Sequence, residues 1–368
     1  STIPLLSADF GSGSSKITVK NTDGFLGYKV GMILTLENQD TYSDSVYNLT
    51  NDGTINFGGE KSIGIQVFAP TSPSKVVISN TGDITMGGIE SYGMKWSSRV
   101  RNDSTMDNTG TINISGDGGT NNSLSSAMAV VENSSFTGAN AIRAYQGKVE
   151  NKGTINVEGN AEDSIGFYGK EDNFSNTGKI QVTSVKSKNK AVVLDGTNAT
   201  NKINFTNTGN VYVNTADNSN TNLIGTGNIG VYAQGNYKFD HNSGTVKAGT
   251  NAIAFYVKDA TGQVNIKAPI VLSNSGTGAN AGTTIGIYSD GNAQVQFGQN
   301  SKLTIGEGAV GLYSANPANF NNTFKIETGK VLNVELGKNS TFGLLNGNKS
   351  TTASPLLSKY LNNGTTDK

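Results

Sequence analysis

The sequence predicts an all-β chain, a right-handed parallel β-helix: a solenoid of about eleven coils with three short strands in each. Three observations predict it. A corner motif, Asn-x-Gly, recurs along most of the chain. Each copy is followed by a short run alternating apolar and polar residues, the period-two pattern of a strand with one buried face. Between these runs no segment carries a helical period.

Composition agrees with that class and removes others. Apolar residues make up 35 % of the 368, charged residues only 15 %, and 47 residues are Gly. Globular chains carry roughly 45–50 % apolar residues; here Asn, Thr and Ser take the missing share. Such polarity leads to disorder when net charge is high, but Lys plus Arg and Asp plus Glu are both 28. The same balance argues against nucleic acid as a partner, which needs a basic stripe to release counterions. There is no cysteine, so disulfides, thiolate metal sites and cysteine nucleophiles are excluded; this is compatible with an exported chain that crosses membranes unfolded. The opening STIPLLSADFGSGSS lacks the basic region and apolar core of a signal peptide, and no run reaches membrane-spanning length.

The corner motif stands at Asn51-Asp52-Gly53, Asn80-Thr81-Gly82, Asn108-Thr109-Gly110, Asn151-Lys152-Gly153, Asn176-Thr177-Gly178, Asn207-Thr208-Gly209 and Asn242-Ser243-Gly244, with successive glycines 29, 28, 43, 25, 31 and 35 apart. Gly and Asn tolerate a left-handed turn, so the corner is read as one. Stacked coils then place the Asn amides above one another, where they can bond along the rod.

Strand one follows the corner, as in Ile55-Asn56-Phe57, Ile112-Asn113-Ile114, Ile155-Asn156-Val157 and Val211-Tyr212-Val213. Strand two reads Ile63-Gly64-Ile65, Tyr92-Gly93-Met94, Ile142-Arg143-Ala144-Tyr145, Ile165-Gly166-Phe167-Tyr168, Ile229-Gly230-Val231-Tyr232, Ile253-Ala254-Phe255-Tyr256, Ile285-Gly286-Ile287-Tyr288 and Val310-Gly311-Leu312-Tyr313. Strand three closes the coil, as in Val76-Val77-Ile78, Ile203-Asn204-Phe205 and Val264-Asn265-Ile266. Ile112, Ile155, Phe167 and Ile287 are expected to be interior, and the Asn, Thr and Gln between the apolar residues to face water.

At the ends, SKITV (15–19) followed by Gly24 to Tyr28 parallels SKLTI (301–305) followed by Gly308 to Tyr313. The coils are therefore expected over 15–346, with 1–14 an N-terminal extension, KVLNVELGKNSTFGLL (330–345) the last coil and 347–368 a frayed tail. At about 4.8 Å per strand spacing the rod is roughly 50 Å long.

Interruptions concentrate between strands one and two, at about 117–139, 214–227 and 273–284. From the corner Gly to the Gly of strand two the distance is 11 after Gly53, 21 after Gly209, and 33 from Gly110 to Arg143, taken as the equivalent position in its coil. Insertions on one face of a solenoid often form the binding face. The longest, about 117–139, is expected to protrude and to be dispensable for folding.

Tyr145, Tyr168, Tyr232, Tyr256, Tyr288 and Tyr313 share one repeat position, two residues after the Gly or its substitute, and by alternation point outward. Such a ladder can stack against sugar rings or seat a partner's aromatic anchors. Equally, tyrosines in register stabilise parallel strands. With Arg143 they form the candidate binding residues.

Coils reading N-x-G-T-I-N-(V/I)-x-G followed by S-I-G-(I/F)-Y resemble the passenger domains of large fusobacterial type V autotransporter adhesins, the RadD-like group, over about residues 15–346. The resemblance implies a signal peptide upstream and an outer-membrane β-barrel downstream, neither within this sequence. It implies a monomeric passenger fragment displayed at the bacterial cell surface, attaching to other bacteria or host cells through protein or glycan receptors. A structural stalk that presents a distal binding domain is the alternative.

Enzymes also use this fold. A carbohydrate-active β-helix, the third reading, needs carboxylates at outward positions of neighbouring coils. The outward positions of strand one read Asn56, Thr85, Asn113, Asn156, Gln181, Tyr212 and Lys247, while Glu60, Glu90, Glu158, Glu162 and Asp163 sit in turns. A serine protease needs a histidine base, and the one histidine, His241, occupies the corner position. SSAMA (125–129) lacks the Gly-Thr expected before a subtilisin-like serine. SGDGG (115–119) lacks the Lys-Ser/Thr pair of a phosphate loop and the spaced acids of a calcium loop. No catalytic residue, cofactor or metal is expected.

Overall fold

In a computed structural model, each coil adds one strand to each of three parallel sheets, the architecture of a parallel β-helix. The structure describes residues 3–4, 16–19, 29–35, 46–68, 75–88, 90–96, 103–116, 125–130, 148–170, 173–197, 202–215, 225–258, 261–275, 284–290, 293–315 and 323–345. Sheet one holds eleven strands, Lys16–Val19 to Asn333–Leu336; sheet two holds twelve, Ile3–Pro4 to Thr341–Leu345; sheet three holds ten, Val46–Asn51 to Phe324–Ile326. Pairing is in repeat register: Ile112 lies between Ile84 and Ile155, and Asn113 between Thr85 and Asn156. Every inward residue therefore packs on its own counterpart. Ile112, Ile155, Phe167 and Ile287 are all buried. Among the described residues no helix is long and apolar enough to cross a membrane.

The corner from sheet three to sheet one is the tightest, in most coils only the two residues x-Gly. Its asparagines form a buried chain: Nδ2 of Asn51, Asn80, Asn108, Asn151 and Asn176 each donates to Oδ1 of the next, at 2.7–2.8 Å, ending on Asn207. The expected left-handed turn is corrected here: of the seven corner glycines only Gly244 has positive φ, at 73°. Glycine is needed for close approach instead. The Asn51 carbonyl accepts from both Thr81 N and Gly82 N, at 2.8 and 3.1 Å. This draws the coils so near that a Cβ on Gly82 would overlap the Gly53 carbonyl oxygen, and Gly110, Gly153, Gly178 and Gly209 repeat the contact.

Asn300 and Gly329, in later coils, share a positive φ at this corner with Gly244, but the left-handed position common to most coils lies at the next corner, before sheet two. Lys61, Glu90, Asp163, Lys188, Gly227, Asn251, Gly308 and Asn339 hold one repeat position with φ between 47° and 71°. The residue after each is small or polar, and all but Ser340 in the last coil are buried. Ser91 Oγ accepts from Ser62 N at 3.2 Å, Ser125 Oγ from Ser91 N at 3.2 Å, Asn189 Oδ1 from Ser164 N at 2.9 Å and Asn228 Oδ1 from Asn189 N at 2.8 Å. This second polar ladder supplies partners for backbone N–H groups that would otherwise be buried unpaired.

Sheet two then begins with a column that admits only small side chains in most coils. A Cβ on Gly93 meets the Ala127 carbonyl and Ile112 Cγ2, both at 2.6 Å; one on Gly166 meets the Ala191 carbonyl at 2.6 Å. That column corrects three sequence expectations. In the fourth coil the slot belongs to Ser126–Val130, paired with Tyr92–Trp96 and Ile165–Gly169, so Ala127 and not Arg143 is the equivalent of the glycine. Segment 117–139 therefore contains a core strand, with Ala127 and Met128 buried. In the first coil the slot belongs to Lys29–Thr35, with Gly31 in the column, and the proposed Gly24–Tyr28 lies outside the described residues. A strand the sequence reading omitted, Lys190–Gly196, carries Ala191 there.

Length variation is also not confined to one corner. Val213 to Asn228 and Leu272 to Ile285 separate sheets one and two, matching the interruptions at 214–227 and 273–284, but Thr35 to Val46, Val130 to Lys148 and Ser314 to Phe324 separate sheets two and three. Asn214 Nδ2 donates to Gly225 O at 2.7 Å and Thr284 N to Ser275 Oγ at 3.0 Å, closing the bases of the first two. Ile3–Pro4 joins the edge of sheet two, so the 1–14 extension is partly within the solenoid. The last coil is the one expected; Val334 and Leu336, in the positions of buried Leu303 and Ile305, are exposed at its face. The 347–368 tail lies outside the described residues.

Replacing Asn151 by Leu leaves one of the two Asn108 amide hydrogens, whose other bond to Gly110 O remains, and the Asn176 side-chain oxygen without their partners. At about 1–3 kcal/mol for each buried unpaired group, urea unfolding followed by circular dichroism should show a loss of about 3 kcal/mol, whereas Lys247→Gln on the outer wall should stay within about 0.5 kcal/mol. Deleting 126–130 should abolish the cooperative transition; a deletion variant that melts as the parent does would refute the placement of that strand.

Candidate binding face

On the outward side of sheet two, alternation after the small-residue column turns one residue per coil away from the interior; of these, Val193 is buried and the tyrosines are half-buried. Pairing aligns Tyr168, Val193, Tyr232, Tyr256, Tyr288, Tyr313 and Leu344 in that column. Four tyrosines run uninterrupted. Tyr232–Tyr256, Tyr256–Tyr288 and Tyr288–Tyr313 stack with centroids 5.4, 4.8 and 4.6 Å apart and interplanar angles of 23°, 13° and 11°. The strand spacing of about 4.8 Å sets that separation, so the backbone itself imposes the stack.

Two residues further along each strand, Asp195, Gln234, Lys258 and Asp290 form a polar column beside the rings. Tyr168 Oη donates to Asp195 Oδ2 at 3.1 Å, Tyr232 Oη to Gln234 Oε1 at 2.8 Å and Tyr256 Oη to Asp290 Oδ2 at 2.9 Å; Gln234 Nε2 donates to Asp195 Oδ1 at 2.9 Å. Burial, then the adjacent carboxylate, pushes the Tyr168 and Tyr256 phenols well above the ordinary tyrosine range. Burial, then Tyr313 and Asp290, raises Tyr288. Burial also pushes Asp195 up, but hydrogen bonds from Gln234, Thr197 and Tyr168 outweigh it and hold the carboxyl low. The Tyr168 and Tyr256 phenols are thus neutral donors to carboxyl oxygens, and Tyr232 donates to an amide oxygen. On the other flank, Ile253 and Ile285 are half-buried and continue the apolar strip.

The predicted ladder is therefore assembled at Tyr232, Tyr256, Tyr288 and Tyr313. Tyr168 shares the column but is separated from the stack by Val193. Arg143 and Tyr145 lie outside the described residues, and Ala129 holds the tyrosine column's position in that coil. The polar column was missed because it falls two residues past the motif, where the repeat has no constant residue.

Groups considered for catalysis take structural places. His241 pairs with Asn207 and ends the corner ladder: Asn207 Nδ2 lies 3.1 Å from its Nδ1, and its Nε2 lies 3.1 Å from the Pro269 carbonyl oxygen. Those partners require the neutral tautomer with the proton on Nε2. The side chain is fully buried. Ser125 is buried with Oγ donating to Gly88 O at 3.0 Å. Asp117, Gly118 and Gly119 of SGDGG lie outside the described residues.

The outer wall of strand one is an amide ladder, Gln181 Nε2 to Asn156 Oδ1 and Asn156 Nδ2 to Asn113 Oδ1, each 2.7 Å. Carboxylates on adjacent coils do occur on sheet three, where the sequence reading did not look: Asp107 faces Glu150, with Lys152 Nζ 3.6 and 3.3 Å from them. Burial pushes the Asp107 carboxyl up, Glu150 adds to this, and Lys152 opposes it. The signal was present, since both acids immediately precede a corner Asn. Among the described residues no group of three or more His, Cys, Asp or Glu converges.

The chain matches no protein-family model, no curated protein and no solved structure.

Burial holds the His241 pKa below the ordinary histidine value of about 6.5, against the backbone groups of Pro269 and Asn207, which favour protonation. Below about pH 6.5 the unfolded chain takes up a proton that the folded chain refuses. Its contribution is complete above that value and is lost as pH falls through the folded pKa. The urea midpoint should therefore drop between about pH 6.5 and 5. His241→Asn, which can keep both hydrogen bonds, should flatten that slope; an unchanged slope would assign the acid sensitivity elsewhere.

Proposed function

We propose that this chain is a segment of a surface-displayed bacterial autotransporter adhesin, which attaches without catalysis to receptors on other bacteria or host cells through the outer face of sheet two. The observation that carries the binding role is the run of four stacked tyrosines bordered by half-buried isoleucines and an ordered polar column. Aromatic residues held rigid before contact lose little entropy on binding and dominate interface energetics. The assignment to a cell-surface passenger is supported by the repeat resemblance, N-x-G-T-I-N with S-I-G-(I/F)-Y. The non-catalytic reading is supported by the burial of His241 between two hydrogen bonds and by the amide wall of strand one.

The test is attachment of the purified, labelled chain to intact bacterial and epithelial cells. Tyr232→Ala, Tyr256→Ala and Tyr288→Ala together should lower attachment at least ten-fold in a variant whose circular dichroism matches the parent. His241→Asn should leave attachment unchanged. Full attachment by the folded triple variant would move binding off the ladder, and failure of the parent to attach to any cell would favour the stalk. Release of reducing sugar from cell-surface polysaccharide would overturn the non-catalytic reading.

A further inference from the structure

We infer that the partner of this face is an amphipathic polypeptide helix with a basic flank, and not a glycan; the inference rests on the binding role proposed above. Three features of the ladder point to it.

The first is ring orientation. Aromatic platforms bind sugars by laying an open ring face against the sugar's C–H groups. Here the faces are used within the stack, at centroid separations of 4.6–5.4 Å. The register neighbours beyond the two end rings are the aliphatic Val193 and Leu344. What remains outward is a row of ring edges. These are apolar C–H groups carrying the positive side of the ring quadrupole, suited to aliphatic side chains and to edge-to-face contact with another ring.

The second is the fate of the hydroxyls. Tyr232 and Tyr256 donate sideways into Gln234 and Asp290. That leaves the strip between Tyr256 and Ile253, on the same strand, with its ring hydroxyl already committed as a donor and none to offer a ligand's hydroxyls. A sugar laid there would lose water without regaining partners, at the cost of an unpaired buried polar group; a leucine side chain has none to lose.

The third is pitch and charge. Residues i and i+4 on a helix stand about 5–6 Å apart, near the spacing of successive rings, whereas alternate residues of a strand are about 6.6–6.8 Å apart. A helix laid along the rod can therefore set successive apolar residues against successive rings. Beside the strip, Asp290 is 43 % exposed, with Oδ2 taken by Tyr256 and Lys258 Nζ only as near as 3.9 Å. This half-exposed carboxylate is the charge that the proposal pairs with a partner's Lys or Arg.

The full chain should be titrated, by fluorescence anisotropy at two salt concentrations, with four probes: a helical Leu/Lys 14-residue peptide with leucines at i, i+3, i+4 and i+7, its Leu/Glu counterpart, chitohexaose and maltohexaose. Leu/Lys should bind at least ten-fold more tightly than Leu/Glu, and neither sugar should bind. The triple alanine variant should lose the peptide at least ten-fold, and Asp290→Asn should weaken it about three-fold and reduce its salt dependence. Should the triple variant not fold, Tyr288→Lys, a change confined to the outward face, must give the same loss. Equal binding of Leu/Glu, peptide binding indifferent to the ladder, no peptide binding, or sugar binding abolished in the triple variant would each overturn the inference. Cell attachment that depends on the ladder while the peptides fail would refute only the partner class; attachment that survives loss of the ladder would refute the binding role itself.

Discussion

In a parallel β-helix every side chain stands about 4.8 Å from its own counterpart in the next coil. Each repeat position must therefore be occupied by something that packs against itself, and the remaining features of this molecule follow from that constraint. Isoleucine stacks on isoleucine in the interior. Asparagine satisfies it at the corner because its amide donates on one side and accepts on the other, so Asn51 through Asn207 form a chain with one direction. Histidine ends that chain at His241 because a neutral imidazole also accepts at one nitrogen and donates at the other. Where the counterpart is a backbone carbonyl, only glycine or alanine fits, as in the columns of Gly82 and Gly93.

The same constraint sets which surfaces can have a function. Ionised carboxylates repel their counterparts, so acids in register need a cation between them, as Lys152 stands between Asp107 and Glu150. Tyrosines tolerate register better than any charged residue because offset rings attract. The ladder is thus both a stabiliser of sheet two and a preformed apolar strip. The two roles do not compete, since stacking uses the ring faces and leaves the edges outward. Stacking also explains why hydroxyls turn into the polar column, where Asp195 and Asp290 keep them as neutral donors.

Much of this was legible in the sequence because the period-two pattern and the corner motif are local. Ile112, Asn113 and Ile114 declare which side is inward without reference to any other coil, and the asparagine ladder follows once the coils stack. The tyrosine column was legible for the same reason. The Ser62–Ser91–Ser125 ladder was visible only as the serine of S-I-G, since nothing local shows that it caps the backbone of a neighbouring coil. The left-handed position that most coils share lies one corner beyond Asn-x-Gly, a motif that is also what a turn demands.

By itself the sequence determined the coil, its three strands, the inward residues and the ladders of Asn and Tyr, because each depends on spacing within one repeat. Only the tertiary structure decided which segment fills a slot when the motif is degraded. Ser126–Val130 holds the fifth place in sheet two although it has neither the Ile nor the Tyr of the repeat, and Ile142 to Tyr145 has both. The deciding quantity is the space in this column: Ala127 is fully buried in it, and one coil earlier even a Cβ on Gly93 would meet the Ala127 carbonyl and Ile112 Cγ2 at 2.6 Å. Alanine fits that space and arginine does not, and the space exists only once the coils are stacked.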